Sequence, residues 1–328
     1  MSNSSISSAG VYWDIEGICT RLKAARSGWR EAHSRNTEHG AVGFPSRHDL
    51  RKIMASLCGA LFPLRLGPTF VRADNEDGFV RETLQTALSR IYGQIRLELA
   101  YSLKGSTPHA IDADAARIIG RFAEALPDLR TLLDKDVEAA FDGDPAARSV
   151  DEVLICYPGI IAIIHHRLAH LLHGLGAPLV ARIIAEIANS DTGIDIHPGA
   201  RIGTSFFIDH GTGVVIGETA VIGDRVRLYQ AVTLGARSFP SENDGGVRRG
   251  LARHPVIEDD VVIYAGATLL GRITVGRRSI IGGNVWLTES VPPGSFVDQA
   301  SARKKTMRTA AEADDHAGIS IPAGTFHR

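Results

Sequence analysis

The chain reads as an all-α N-terminal domain followed by a parallel β-helix of hexapeptide repeats with one extended loop. Three observations predict this. Apolar residues recur at three- and four-residue spacing across residues 1–190, and aliphatic residues recur every six positions from 191 to 296. The six-residue count is broken twice, by two extra residues after Ile208 and by seventeen after Leu234.

A length of 328 residues leaves room for about two domains. Lys plus Arg is 36 against 37 for Asp plus Glu, so no basic excess draws in nucleic acid, and the partners expected are small molecules or protein. Cys19, Cys58 and Cys156 are widely separated and odd in number, which fits reduced thiols in a cytoplasmic setting. The start, MSNSSISSAG, has neither the basic residues nor the apolar run of a signal peptide. The most apolar stretch, residues 153–164, meets His165, His166 and Arg167 too soon to cross a bilayer, so no membrane partner is expected.

In chain order, residues 79–103 and 115–141 carry clear helical periodicity. Ser149 and Glu152 have the spacing of a capping box and predict a helix start there. Residues 34–47 and 104–110 collect the Gly, Pro, Ser and Asn of loops. The following helix holds His165, His166, His170 and His173. His166 and His170 are four apart, but no acid lies between them, so the zinc-protease reading fails and a structural role is expected.

After "NSDTG" the six-residue series begins: Ile196, Ile202, Ile208, Ile216, Ile222, Leu228 and Leu234, then Ile257, Ile263, Leu269, Val275, Ile281 and Leu287. Neither a helix nor an alternating strand holds this period over such a length, whereas a solenoid needs one inward aliphatic per rung. Glycine follows the aliphatic at six rungs, and Ala200, Thr212, Ala220, Ala267 and Ser279 supply small side chains four residues after it. Residues 236–255 must leave the prism as an arm, and 297–328 form a tail.

The two irregularities carry the candidate chemistry, because repeats tolerate insertions on a binding face while the stack behind stays intact. Asp209 and His210 lie at the first, and Arg253 and His254 at the root of the arm. Asp195 should sit about one coil below His210, roughly 5 Å along the axis, where a carboxylate could hold one imidazole nitrogen protonated and leave the other as a base.

The segments "DIHPGARIG", "DHGTGVVIGETAVIG", "VTLGA", "RHPVIEDDVVIYAGATLLGRITVG" and "GGNVWLTESVPPGS", with "GDPAA" upstream, resemble serine acetyltransferase over residues 142–296. The long arm resembles that of a bacterial subgroup of the family. The resemblance implies a left-handed parallel β-helix that forms a homotrimer or a dimer of trimers, with sites in the clefts between subunits. It implies acetyl-CoA as co-substrate and no metal. His210 is then the base toward the L-serine hydroxyl, oriented by Asp195, with His254 across the same site. Arg253 would grip the carboxylate, Asp209 and Asp144 the amino group, and Gly235, Ala265 and Gly266 would line the pantetheine.

These roles suit a zwitterion, which needs a cation and a carboxylate close together. Arg248 and Arg249 could reach phosphate, set against the ordinary reading of solvated charges. L-Cysteine, which shares serine's amino and carboxylate groups, is implied as a feedback inhibitor. Two departures stand out: the usual "LGG" is "LGA" here, at Ala236, and the chain ends in "AGTFHR" instead of the isoleucine through which relatives dock onto the next enzyme, so a cysteine synthase complex is not expected. The competing readings are an acetyltransferase for a sugar or drug hydroxyl, a zinc hydratase using His197, His210 and His254, and a non-catalytic scaffold.

Overall fold

A computed structural model describes residues 13–33, 43–103, 105–237 and 250–299 of the chain. Arg248 and Arg249, most of the arm and the tail beyond 299 lie outside the described residues.

The first part of the chain is helical: α1 (Ile15–Ala32), α2 (Arg47–Leu61), α3 (Pro63–Leu66), α4 (Glu76–Ser102), α5 (Pro108–Gly143), α6 (Val150–Cys156), α7 (Pro158–Leu175) and α8 (Pro178–Thr192). Ser149 caps α6 by accepting from the Glu152 N–H at 3.1 Å, while Glu152 reaches back to the Arg148 N–H, one residue earlier than a standard capping box. Pro158 cannot continue α6, and the chain turns by 73° into α7. No single described helix is long and apolar enough to cross a membrane. A Cβ at Gly159 would lie 2.3 Å from the Ile208 carbonyl oxygen, so only glycine lets the start of α7 approach the prism this closely.

Fourteen short strands follow among the described residues, all paired in parallel and three to a coil. Sheet A stacks β1 (Asp195–Ile196), β4 (Val215–Ile216), β7 (Thr233–Gly235), β10 (Thr268–Leu270) and β13 (Trp286–Leu287). Sheet B stacks β2 (Arg201–Ile202), β5 (Val221–Ile222), β8 (Val256–Ile257) and β11 (Thr274–Val275). Sheet C stacks β3 (Phe207–Ile208), β6 (Arg227–Leu228), β9 (Val262–Ile263), β12 (Ile280–Ile281) and β14 (Phe296–Val297).

The six-residue aliphatics form the ladders inside these sheets. Ile196 pairs with Ile216, Ile216 with Leu234, Leu234 with Leu269, and Leu269 with Leu287. All of the series except Ile202 are buried, each contributing about 1.5–3 kcal/mol relative to exposure. Ile222 pairs directly with Ile257 across the arm, so the insertion leaves the register untouched.

The helices are fastened to the first coil by a buried ion pair. Asp136 of α5 accepts from Arg167 Nε and Nη2 of α7 at 2.7 and 2.9 Å. Arg167 also donates to the Ile202 and Gly203 carbonyls, and Asp136 accepts from the Phe206 N–H at 2.9 Å. Both charged groups therefore have partners on the chain segment that leads to Asp209 and His210.

Candidate active site

The corner after β3, where sheet C turns into sheet A, is the first irregularity. His210 takes φ 59° there, followed by Gly211 at φ 90° and Gly213 at φ 79°. The two extra residues widen the corner, and the left-handed backbone at His210 turns its side chain outward, where it is 70% exposed. Its Nδ1 faces Asp209 Oδ1 at 3.6 Å, while Asp209 itself is buried.

Asp209 Oδ2 accepts from Arg227 Nη2 at 2.9 Å. The Arg227 guanidinium lies against the Phe207 and Tyr229 rings, with centroids 4.9 and 4.7 Å away. Asp144, at the C-cap of α5, accepts from the Ala146 N–H at 2.8 Å and from the Tyr157 hydroxyl. The Tyr157 hydrogen bond, then the Ala146 N–H and the nearby charges of Arg227 and His210, hold the Asp144 carboxyl below its usual range. The same bond pushes the Tyr157 phenol up to about 12. The bend at Pro158 that directs Tyr157 toward Asp144 thus completes a cluster of Asp144, Tyr157, Asp209, His210 and Arg227.

Asp195 lies one coil below the strand that follows His210. It lies on β1 opposite Val215, and among the described residues its carboxyl makes no hydrogen bond or ion pair. Burial raises its pKa, opposed by Arg182 and aided by Glu186 of α8. In the single chain the acid in contact with the imidazole is Asp209.

Arg253 and His254 occupy the other edge of sheet A, where the arm returns to β8. The Thr219 N–H donates to His254 Nδ1 at 3.1 Å, which makes Nδ1 the acceptor and leaves the proton of the neutral ring on Nε2. Thr219 Oγ1 in turn accepts from the Arg253 and His254 N–H groups at 2.9 and 3.1 Å. Burial lowers the His254 pKa, and Arg253 lowers it further against the opposing charge of Glu218, which favours the neutral ring. A Cβ at Gly217 would lie 2.1 Å from His254 Nε2, so the ring fills the space that a side chain would need. Arg253 Nη2 bonds Glu218 Oε2 at 2.7 Å.

The expected residues therefore fall into two groups on opposite edges of sheet A, and the single chain does not bring them together. The residues assigned to the pantetheine divide in the same way. Ala265 and Gly266, the latter at φ 71°, lie on the His210 edge along the prism axis, whereas Gly235 ends β7 on the Arg253 edge. His197, the third histidine of the hydratase reading, accepts from the Gly199 N–H, and burial lowers its pKa to about 4. His170 bonds the Pro198 carbonyl at 2.8 Å, a structural contact between α7 and the first coil.

Sequence reasoning missed Arg227, Tyr157 and Thr219. Arg227 sits at an outward position of a rung, where arginine is ordinary, and Tyr157 carries no signal beyond the proline after it.

Fold and repeat pattern together define a hexapeptide-repeat acyltransferase, with an exposed imidazole at a solenoid corner. Residues 254–289 match the family model described as bacterial transferase hexapeptide (six repeats). A Synechococcus elongatus protein named "Serine acetyltransferase, plasmid" is 54% identical over 302 residues, covering 90% of this chain and 94% of the relative. The serine acetyltransferase of Mycobacterium tuberculosis is 49% identical over 51% of this chain and 69% of its own length. Among solved structures, Entamoeba histolytica serine acetyltransferase 1, in complex with L-cysteine, matches with a TM-score of 0.66 and 38% identity. That match covers 75% of this chain and 85% of the other. The chain belongs to the serine acetyltransferase family, and its solenoid is the left-handed parallel β-helix of that family.

Proposed function

We propose that the chain transfers the acetyl group of acetyl-CoA to the hydroxyl of L-serine, giving O-acetyl-L-serine and CoA, as the first step of cysteine biosynthesis in the cytoplasm. His210 removes the hydroxyl proton as the oxygen attacks the thioester carbonyl, and a positioned base of this kind typically contributes about 10²–10⁴-fold. Asp209 lies beside the ring, and Asp195, with no hydrogen-bond partner among the described residues, is the second carboxylate available to orient it. Asp144 and Asp209 take the substrate's ammonium group. Arg253 takes its carboxylate, and His254 presents an Nε2–H to the oxyanion that forms on the thioester carbonyl. Gly235, Ala265 and Gly266 line the pantetheine.

The observation that supports this reading is that Asp209 and His210 lie at one edge of sheet A and Arg253 and His254 at the other. In a homotrimer with sheet A turned toward a three-fold axis, the His210 edge of one subunit meets the Arg253 edge of the next. The outward face of sheet A suits burial, with Val215 38% and Trp286 67% exposed in the single chain. L-Cysteine, sharing the amino and carboxylate groups, is read as a competing ligand.

Thiol release from acetyl-CoA, followed with serine, homoserine and a panel of sugars, tests the acceptor. Serine should be turned over far faster than the others. His210→Ala should lower kcat by about 10²-fold or more while the assembly persists. Near-full activity in that variant would refute His210 as the base.

A further inference from the structure

The proposed amino-group pocket contains two carboxylates, Asp144 and Asp209, yet serine brings a single ammonium. The structure places a cation beside both: Arg227 Nη1 lies 3.7 Å from where a Cβ on Gly143, the neighbour of Asp144, would stand. Arg227 Nη2 bonds Asp209 Oδ2 at 2.9 Å, and its charge also acts on Asp144. Two rings restrain the guanidinium: Phe207 and Tyr229 lie 4.9 and 4.7 Å from it, and Tyr229 is itself stacked on Tyr264 of the next coil at 5.0 Å. Its Nε is buried with no hydrogen-bond partner among the described residues, a cost accepted to keep the group where it is.

We infer that Arg227 is a positioning residue of the acetyl transfer: it clamps Asp209 by one oxygen so that the other stays turned to His210, and it reduces the pocket's charge to that of one carboxylate. This inference rests on the reading of His210 and Asp209 given above. The sum of Asp144, Asp209 and Arg227 is one negative charge, which matches one ammonium. Without the cation, two carboxylates close together would attract the ammonium more strongly but leave Asp209 free to rotate. Loss of Arg227 should therefore slow the chemical step without weakening serine binding. An arginine that gripped the substrate carboxylate would have the opposite signature, because its loss would raise KM for serine.

The test is steady-state kinetics of Arg227→Met, Arg227→Gln and Arg227→Lys, with the thermal midpoint and assembly size measured on each. Arg227→Met should lower kcat by about 10-fold or more, since misplacement of a reacting group by an ångström can cost up to about 10²-fold. KM for serine should be unchanged or lower, and KM for acetyl-CoA unchanged. Arg227→Gln, which keeps a donor but no charge, should resemble Arg227→Met, while Arg227→Lys should recover most of kcat. If Arg227→Met does not fold, the Gln and Lys pair carries the comparison. Wild-type kinetics in the uncharged variants would overturn the inference, and so would a tenfold rise in serine KM with kcat retained. His210→Ala, run alongside, separates the two readings: if it is inactive while Arg227→Gln behaves as wild type, the base stands and only the role of Arg227 fails.

Discussion

At Asp144 one carboxylate already accepts two hydrogen bonds, from Tyr157 and from the Ala146 N–H, and both favour its ionised form. It therefore presents a fixed negative charge before any substrate arrives. Serine and cysteine carry the same ammonium group, so Asp144→Ala should weaken both together, by about tenfold or more each for loss of a charged hydrogen bond. The serine KM and the cysteine inhibition constant measure this, and an effect on one ligand alone would remove Asp144 from the amino-group site. On the opposite edge, His254 owes its position to the missing side chain at Gly217. Gly217→Ala brings a methyl group within 2.1 Å of Nε2 and must move the ring. The expected result is a loss of kcat of about tenfold or more with a near-normal melting curve; an unchanged rate would mean that this imidazole has no part in the reaction.

Among the elements, α5 and α7 do more than cover the end of the prism. The Asp136–Arg167 pair joins them, and both of its members reach the chain segment that runs into β3 and the corner of Asp209 and His210. Asp136 is fully buried and Arg167 nearly so. Burial raises the Asp136 pKa, while Arg167 and the Phe206 N–H oppose that rise. Asp136→Ala would strand a buried guanidinium, at a cost of about 3–5 kcal/mol in unfolding free energy. Urea denaturation measures it, and a loss below about 1 kcal/mol would show that the pair is dispensable. Of the α7 histidines expected to be structural, His165 and His170 meet backbone carbonyls. Tyr157 was not legible, since its reach to Asp144 depends on a bend between two helices.

For the molecule as a whole, the proposed three-fold contact through sheet A would tie activity to assembly. Trp286 is the largest apolar side chain on that face, and Trp286→Asp would put a charge where the proposed three-fold contact needs apolar surface. The variant should sediment as a smaller species and lose activity in proportion, because His210 and Arg253 would no longer meet. A fully active, undissociated Trp286→Asp protein would exclude sheet A as the assembly face.

The amino-acid order alone determined the solenoid, its six-residue register, both places where the register breaks, and the presence of Asp209, His210, Arg253 and His254 at those breaks. These are properties of a one-dimensional repeat, in which each rung states its own inward residue and each insertion states its own position. Tertiary structure decided which edge of the prism each group occupies, that Asp209 contacts His210, and that Tyr157 and Arg227 join the cluster. Those relations depend on how a corner turns a side chain and on which residues stack one coil apart. No local period encodes either.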